Sequence, residues 1–193
     1  PKKLGEFMIC AAQYKGTASI RVALQINAHL FQRSNELRHA QWSEFNFEDC
    51  IWTIPAKRMK GTRATKNLNI PHLGPLSTQV IQLLMSLRGL NLGSKYLFPG
   101  RNPKKPITGE GLTLALRRMG YANEEVSIHG FRATANTMIK ERLHVDDRVV
   151  EAQLAHVVDN PNGDAYDRAK WMYERDIMMQ LWSDYLEQLT ENF

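Results

Sequence analysis

Apolar residues return every three or four positions along most of this 193-residue chain, and only one short pair of β-like runs interrupts them. A chain written mainly in that period folds as packed helices, each burying one stripe. Ile20–Phe31 carries Ile20, Ala23, Leu24, Leu30 and Phe31 at helical intervals. The same spacing predicts helices over Leu76–Leu87, with Val80, Ile81, Leu84 and Leu87 inward, and over Thr108–Arg118, with Leu112, Ala115, Leu116 and Met119 inward. Ile128–Leu143 reads as another, carrying His129, Arg132, Asn136 and Lys140. A turn at Arg33-Ser34-Asn35 leads into a short helix that Ser34 or Asn35 is suited to cap, with Glu36 in its first turn. Arg148–His156 forms a shorter helix, ended by the strongest breaker in the chain, Asp159-Asn160-Pro161-Asn162-Gly163. A last helix is expected around Arg175–Leu189.

Ile51-Trp52-Thr53-Ile54 reads as a strand, with Leu68-Asn69-Ile70 returning beside it and Pro55 and Pro71 marking edge positions. The fold class is therefore mainly α with a small antiparallel β-sheet, in one domain without linker or repeat. A content of 43% apolar and 23% charged residues excludes collagen-like and largely disordered classes. Cys10 and Cys50 read as reduced packing residues. No apolar run is long enough to span a membrane, and PKKLGEFMIC makes a poor signal peptide. The chain does not begin with Met, which reads as a processed or excised segment, and a cytoplasmic location is expected.

Charge is distributed unevenly. Residues 1–162 carry 22 basic against 13 acidic side chains, whereas residues 163–193 carry 3 against 7. The densest basic run spans 57–66, with Lys57, Arg58, Lys60, Arg63 and Lys66 and no acid. By itself such a run is as well explained by a solvated turn.

The polar residues that stand out are individually ambiguous. His129 and Arg132 at an interval of three describe a polar helix edge equally well. Tyr166 is compatible with a packing tyrosine, His156 with a helix-end cap, and Arg33 with a turn that binds carbonyls.

In combination they resemble the tyrosine recombinase family, specifically the catalytic domain of prophage-type (phage or genomic-island) integrases, from about Ala23 to Leu189. Arg33, followed by Glu36-Leu37, matches the first catalytic arginine, although Ser34-Asn35 stands where the family usually has proline and glycine. Asn35 tolerates the left-handed backbone that such a turn is expected to need. Trp52–Lys60 matches the hairpin that bears the catalytic lysine, at Lys60. His129-Gly130-Phe131-Arg132 matches the His-x-x-Arg box, Leu154-Ala155-His156 the next position, and Ala165-Tyr166-Asp167-Arg168 the nucleophile box.

The resemblance implies the fold shared with type IB topoisomerases, with residues 1–193 as the C-terminal catalytic domain and a core-binding domain upstream that this chain does not contain. It also implies site-specific DNA cleavage and rejoining, for integration or excision of a mobile element. The chemistry suits the residues. Two guanidiniums, Arg33 and Arg132, clamp nonbridging oxygens of a phosphorane-like state, and His156 donates a third hydrogen bond. His129 accepts or relays the proton of Tyr166, which attacks phosphorus. Lys60 protonates the departing alkoxide. The family assigns the covalent link as a 3′-phosphotyrosine. No metal or cofactor is expected: there is no His-Glu-x-x-His, cysteine cluster, paired-carboxylate site or Walker-type loop, and Gly109-Glu110-Gly111 reads as a helix-start turn.

Phosphate contacts are expected from Lys57, Arg58, Arg63, Lys66, Arg101, Lys104, Lys105, Arg117 and Arg118. The implied partners are double-stranded attachment sites, a homotetramer on paired sites, and accessory DNA-bending proteins, in a cytoplasmic, nucleoid-associated setting. The acidic last helix, with Leu181, Trp182, Tyr185 and Leu189 as anchors, is expected to dock on a neighbouring protomer in that assembly and to fold back in a free, monomeric fragment. A topoisomerase-like enzyme, a noncatalytic DNA-binding descendant of an integrase and an inert helical module are the competing readings. The recombinase reading requires Arg33, Lys60, His129, Arg132 and His156 to line one basic concavity, with Tyr166 able to reach it.

Overall fold

One helix is buried on nearly every side, and the others are arranged around it. The computed structural model describes residues 1–60, 69–90, 93–122, 125–155 and 171–191. Arg63, Lys66, Leu68, His156, the 159–163 breaker and Tyr166 lie outside the described residues. The central helix, α2 (Ala18–Leu30), starts where Thr17 Oγ1 accepts from Ile20 N at 3.4 Å and ends at Phe31 in a left-handed conformation (φ 40°). Val22, Ala23, Leu24, Ile26, Ala28 and Leu30 are all buried, so α2 lacks a solvent face along much of its length.

Around α2 pack α1 (Lys2–Ala12), α3 (Ser34–Arg38), α4 (Thr78–Gly89), α5 (Gly109–Arg118), α6 (Gly130–Leu143) and α8 (Met172–Glu191). The helix α7 (Asp147–Gln153) joins α6 to the edge of this core. Lys140 Nζ on α6 holds it through Glu151 at 3.1 Å and Asp147 at 3.6 Å. Helices α4 and α5 are capped by Ser77 and Thr108, whose hydroxyls accept from Val80 N and Gly111 N. Helix α1 occupies the segment weighed above only as a leader. Leu4, Phe7, Met8 and Ala11 form its buried stripe, a helical spacing present in the sequence.

The sheet corrects the strand assignment. Its three antiparallel strands are β1 (Phe45–Asn46), β2 (Ile51–Ile54) and β3 (His72–Pro75), with β2 in the centre. Ile51 pairs with Pro75 and Ile54 with His72, so the returning strand follows Pro71 rather than preceding it, and Asn69-Ile70 are outside the sheet. Ile51–Ile54 is not an edge, because Phe45–Asn46 covers its other side. Trp52 is fully buried there, stacked on Phe45 with ring centroids 5.4 Å apart. Proline remains confined to strand ends, where a missing donor costs the ladder little.

The last helix folds onto its own domain. Met178, Met179, Trp182 and Leu186 of α8 are buried, and Trp182 Nε1 donates to Ala28 O at 3.0 Å. Trp182 is thus a core residue in the single chain, the folded-back arrangement expected of a free fragment. Leu181 faces outward, while Tyr185 and Leu189 are half-buried. Beside Trp182, Ser183 Oγ lies 2.9 Å from His29 Nδ1 and 2.7 Å from Ser77 Oγ, tying α8 to α2 and to the cap of α4. Among the described residues no helix is long and apolar enough to cross a membrane.

Burial drives the pKa of His29 from 6.5 down to about 4. The unfolded chain takes up this proton near 6.5 and the folded chain only near 4. The stabilisation is therefore complete above pH 6.5 and is lost as pH falls between the two values. Wild type should lose up to about 1.4 kcal/mol per pH unit in that window relative to His29→Gln. Thermal melts of both proteins from pH 7 to pH 4.5 measure this difference directly.

Candidate active site

The first arginine is placed by a carboxylate. After the left-handed turn at Phe31, Arg33 takes an extended conformation at the N-cap of α3. Glu36 reaches back to it, with Oε2 accepting from Arg33 N at 3.1 Å and Oε1 from Arg33 Nη1 at 3.0 Å. The cap is therefore Arg33, backed by Glu36, instead of Ser34 or Asn35. Asn35 has no left-handed backbone either, because Phe31 upstream has already made the turn. The Glu36 side chain is 1% exposed and that of Arg33 20%, so the pair sits at the floor of a surface rather than out in water.

Arg132 comes from the first turn of α6 and is held from behind. It is 7% exposed. Nη1 donates to Phe31 O at 3.2 Å, and Nη2 donates to Leu154 O. It thereby bridges the residue two before Arg33 and the residue two before His156. Burial first, and then the positive charge of Arg33, lower its pKa to about 10 against the opposing pull of Glu36 and Glu151. Two guanidiniums distant in sequence are thus electrostatic neighbours. Neighbouring like charges favour an anion that both can reach.

His129 is the exposed residue at the start of α6, one turn before Arg132, whose backbone N–H donates to His129 O at 3.2 Å. Lys60 is exposed after the short 3₁₀ turn Ala56–Arg58, with Met59 buried beneath it. That turn is tied to the end of α3, because Arg58 Nη1 donates to His39 O at 2.7 Å. Ala155, immediately before His156, has a left-handed backbone (φ 49°).

A family profile described as "Phage integrase family" matches residues 3–169, a span that includes every one of these positions. The chain belongs to the phage integrase family. The integrase of Enterobacteria phage P4 is 37% identical over 190 residues, covering 94% of this chain and 43% of that protein. An integrase from mycobacterium phage Brujita superposes with a TM-score of 0.69 at 16% identity, covering 96% of this chain and 61% of that one. The catalytic core of lambda integrase gives 0.57 at 13% identity, covering 79% of this chain and 92% of the core. The fold is therefore that of the tyrosine recombinase catalytic core. The chain spans half or less of the curated relatives it matches.

Within this integrase fold the basic residues divide into two groups. Arg58 is paired with Glu44 through both terminal nitrogens, and its side chain is 10% exposed. Its guanidinium joins the 56–58 turn to Glu44 and to the end of α3, a structural role beside the expected phosphate contact. Arg117 is engaged likewise: Nη1 and Nη2 donate to Tyr121 O and Val126 O beyond the end of α5. Lys57, Arg101, Lys104, Lys105 and Arg118 are exposed. The Arg101–Lys105 loop is closed by Gly100 N donating to Lys105 O at 2.8 Å. Arg38 of α3 anchors the chain just beyond it, donating to Ile107 O at 3.0 Å.

Four buried polar residues behind the site carry no motif: Gln32, His72, Gln153 and Arg175. Arg175 had a visible signal, since it shares the helical spacing of Met178, Met179 and Trp182, which places a charge on a core stripe.

Glu36→Ala should destabilise the fold by about 1.5–3 kcal/mol, because a charged hydrogen-bond partner of Arg33 is removed. Arg58→Ala should also lower the melting temperature, by removing the cation paired with Glu44, whose remaining partner is Trp52 Nε1 at 3.1 Å, whereas Lys57→Ala should not. Thermal unfolding of the three variants separates the structural cations from the surface ones.

Proposed function

We propose that residues 1–193 are the catalytic domain of a site-specific tyrosine recombinase that cuts and rejoins DNA through a covalent 3′-phosphotyrosine. The observation that carries this reading is the pairing of Arg33 with Arg132 over a buried frame, in a chain whose family match extends through Tyr166. The two guanidiniums neutralise the nonbridging oxygens of the scissile phosphate as charge accumulates there. Tyr166 Oη attacks phosphorus, passing its proton to His129, while the bond to the 5′-oxygen breaks. Lys60 delivers a proton to that oxygen, and His156 donates to the phosphoryl group. Reversal of the same steps reseals a strand, since a phenolate leaves more readily than an alkoxide.

Lys57, Arg101, Lys104, Lys105 and Arg118, with Arg63 and Lys66, supply phosphate contacts and register on duplex DNA. A core-binding domain upstream would complete the clamp. Lambda integrase has been crystallised as a tetramer bound to a Holliday junction, and four protomers on paired attachment sites are proposed here too. Integration or excision of a mobile element, with accessory DNA-bending proteins at the nucleoid, completes the reading. The seated Trp182 suits a free fragment that is monomeric.

On a nicked suicide duplex, Tyr166→Phe should bind with near wild-type affinity, keep its melting temperature and form no denaturation-resistant adduct. An adduct formed at the wild-type rate would mean that another residue attacks. Lys60→Ala should slow cleavage of ordinary DNA by about 10²–10⁴-fold. A 5′-bridging phosphorothiolate, whose thiolate leaves without a proton, should restore most of that rate. Equal impairment on both substrates would remove Lys60 from the general-acid role.

A further inference from the structure

Arg132 is aimed by two backbone carbonyls, so whatever fixes the spacing of those carbonyls sets the geometry of the phosphate clamp. One acceptor, Phe31 O, lies just before Gln32; the other, Leu154 O, lies just after Gln153. Gln32 Nε2 donates to Gln153 O at 3.1 Å, joining the two segments directly. Gln153 is fully buried, and its Oε1 accepts from Arg175 Nε at 3.0 Å and Nη2 at 2.8 Å. Arg175, itself fully buried on α8, also donates from Nη2 to Leu73 O on β3. His72 Nε2 faces Arg175 Nη2 at 3.3 Å and Gln32 Nε2 at 3.5 Å.

We propose that Arg175 is a positioning residue for Arg132, acting through Gln153 to hold the Leu154 carbonyl in register with the Phe31 carbonyl. It touches neither substrate nor reacting atom. Its planar fork fits the task, since Nε and Nη2 close on one amide oxygen while Nη2 also reaches Leu73 O. The cost of burying a guanidinium in the first turn of α8 is hard to rationalise as a fold requirement, because an apolar residue of similar volume often packs as well. It is accounted for if the charge ties the end of α7 to β3 and to the segment that bears Arg33. Correct seating of α8 then becomes a condition for an assembled clamp.

This inference rests on the recombinase reading. Its test is single-turnover adduct formation on a nicked suicide duplex at saturating DNA, with DNA affinity and melting temperature measured for every protein. Arg175→Met and Gln153→Met should each slow the covalent step by about 10²-fold, the cost of a catalytic group displaced by roughly an ångström. DNA affinity should stay within threefold. The double variant should be no slower than either single one, because both remove the same tether. Gln153→Glu, which keeps an acceptor for Arg175, should recover at least tenfold of the loss seen with Gln153→Met, and this comparison holds even where Arg175→Met is too unstable to assay. Wild-type cleavage rates in folded Arg175→Met, multiplicative losses in the double variant, or no recovery with Gln153→Glu would each overturn the proposal. A wild-type chain that forms no adduct overturns the recombinase reading itself, so the two failures are distinguishable.

Discussion

The active surface depends on a buried cation that is satisfied from behind. Arg132 spends two hydrogen bonds on the carbonyls of Phe31 and Leu154. Those bonds offset part of the desolvation that lowers its pKa, and they fix the guanidinium plane. Arg33 is fixed by different means, through the Glu36 carboxylate at the cap of α3. The result is two cations that act on one another electrostatically, with Glu36 paired to Arg33 and opposing part of the repulsion. Preorganisation of this kind places the electrostatic cost in folding.

The helical scaffold explains how segments far apart in sequence meet. Helix α2 is enclosed by its neighbours, and its left-handed end at Phe31 turns the chain outward directly into Arg33. Helix α6 presents His129 and Arg132 from its first turn, and α7 ends at the carbonyl that Arg132 reaches. Helix α8 closes the same core through Trp182 and Ser183, and reaches the underside of the site through Arg175. Packing of the last helix and the placement of Leu154 therefore share residues.

Positive charge in the sequence was a poor guide to which cations stay in solvent. Arg58 and Arg117 lie among basic neighbours yet spend their guanidiniums on carbonyls and on Glu44. Lys57 and Lys60, with a single ammonium on a flexible stem, stay in solvent. The difference follows from the guanidinium fork, which can serve two acceptors at a loop end where an ammonium cannot match the geometry.

The helices and the family were legible in the sequence, because helical periodicity is local and the family's boxes are short runs of contiguous residues. Ile20–Phe31, Leu76–Leu87 and Thr108–Arg118 match observed helices within two residues. Even α1 had its stripe at Leu4, Phe7, Met8 and Ala11. The partner of a strand, by contrast, is decided across space, and β2 pairs with His72–Pro75 and Phe45–Asn46 because Trp52 must be buried between them. The fate of Trp182 was equally undetermined, since an apolar stripe does not state which surface will cover it. Only the tertiary structure could decide that Arg58 is structural, that Glu36 caps Arg33, and that Gln32, His72, Gln153 and Arg175 meet beneath the site. Those are contacts between side chains up to about a hundred residues apart, and no local pattern encodes them.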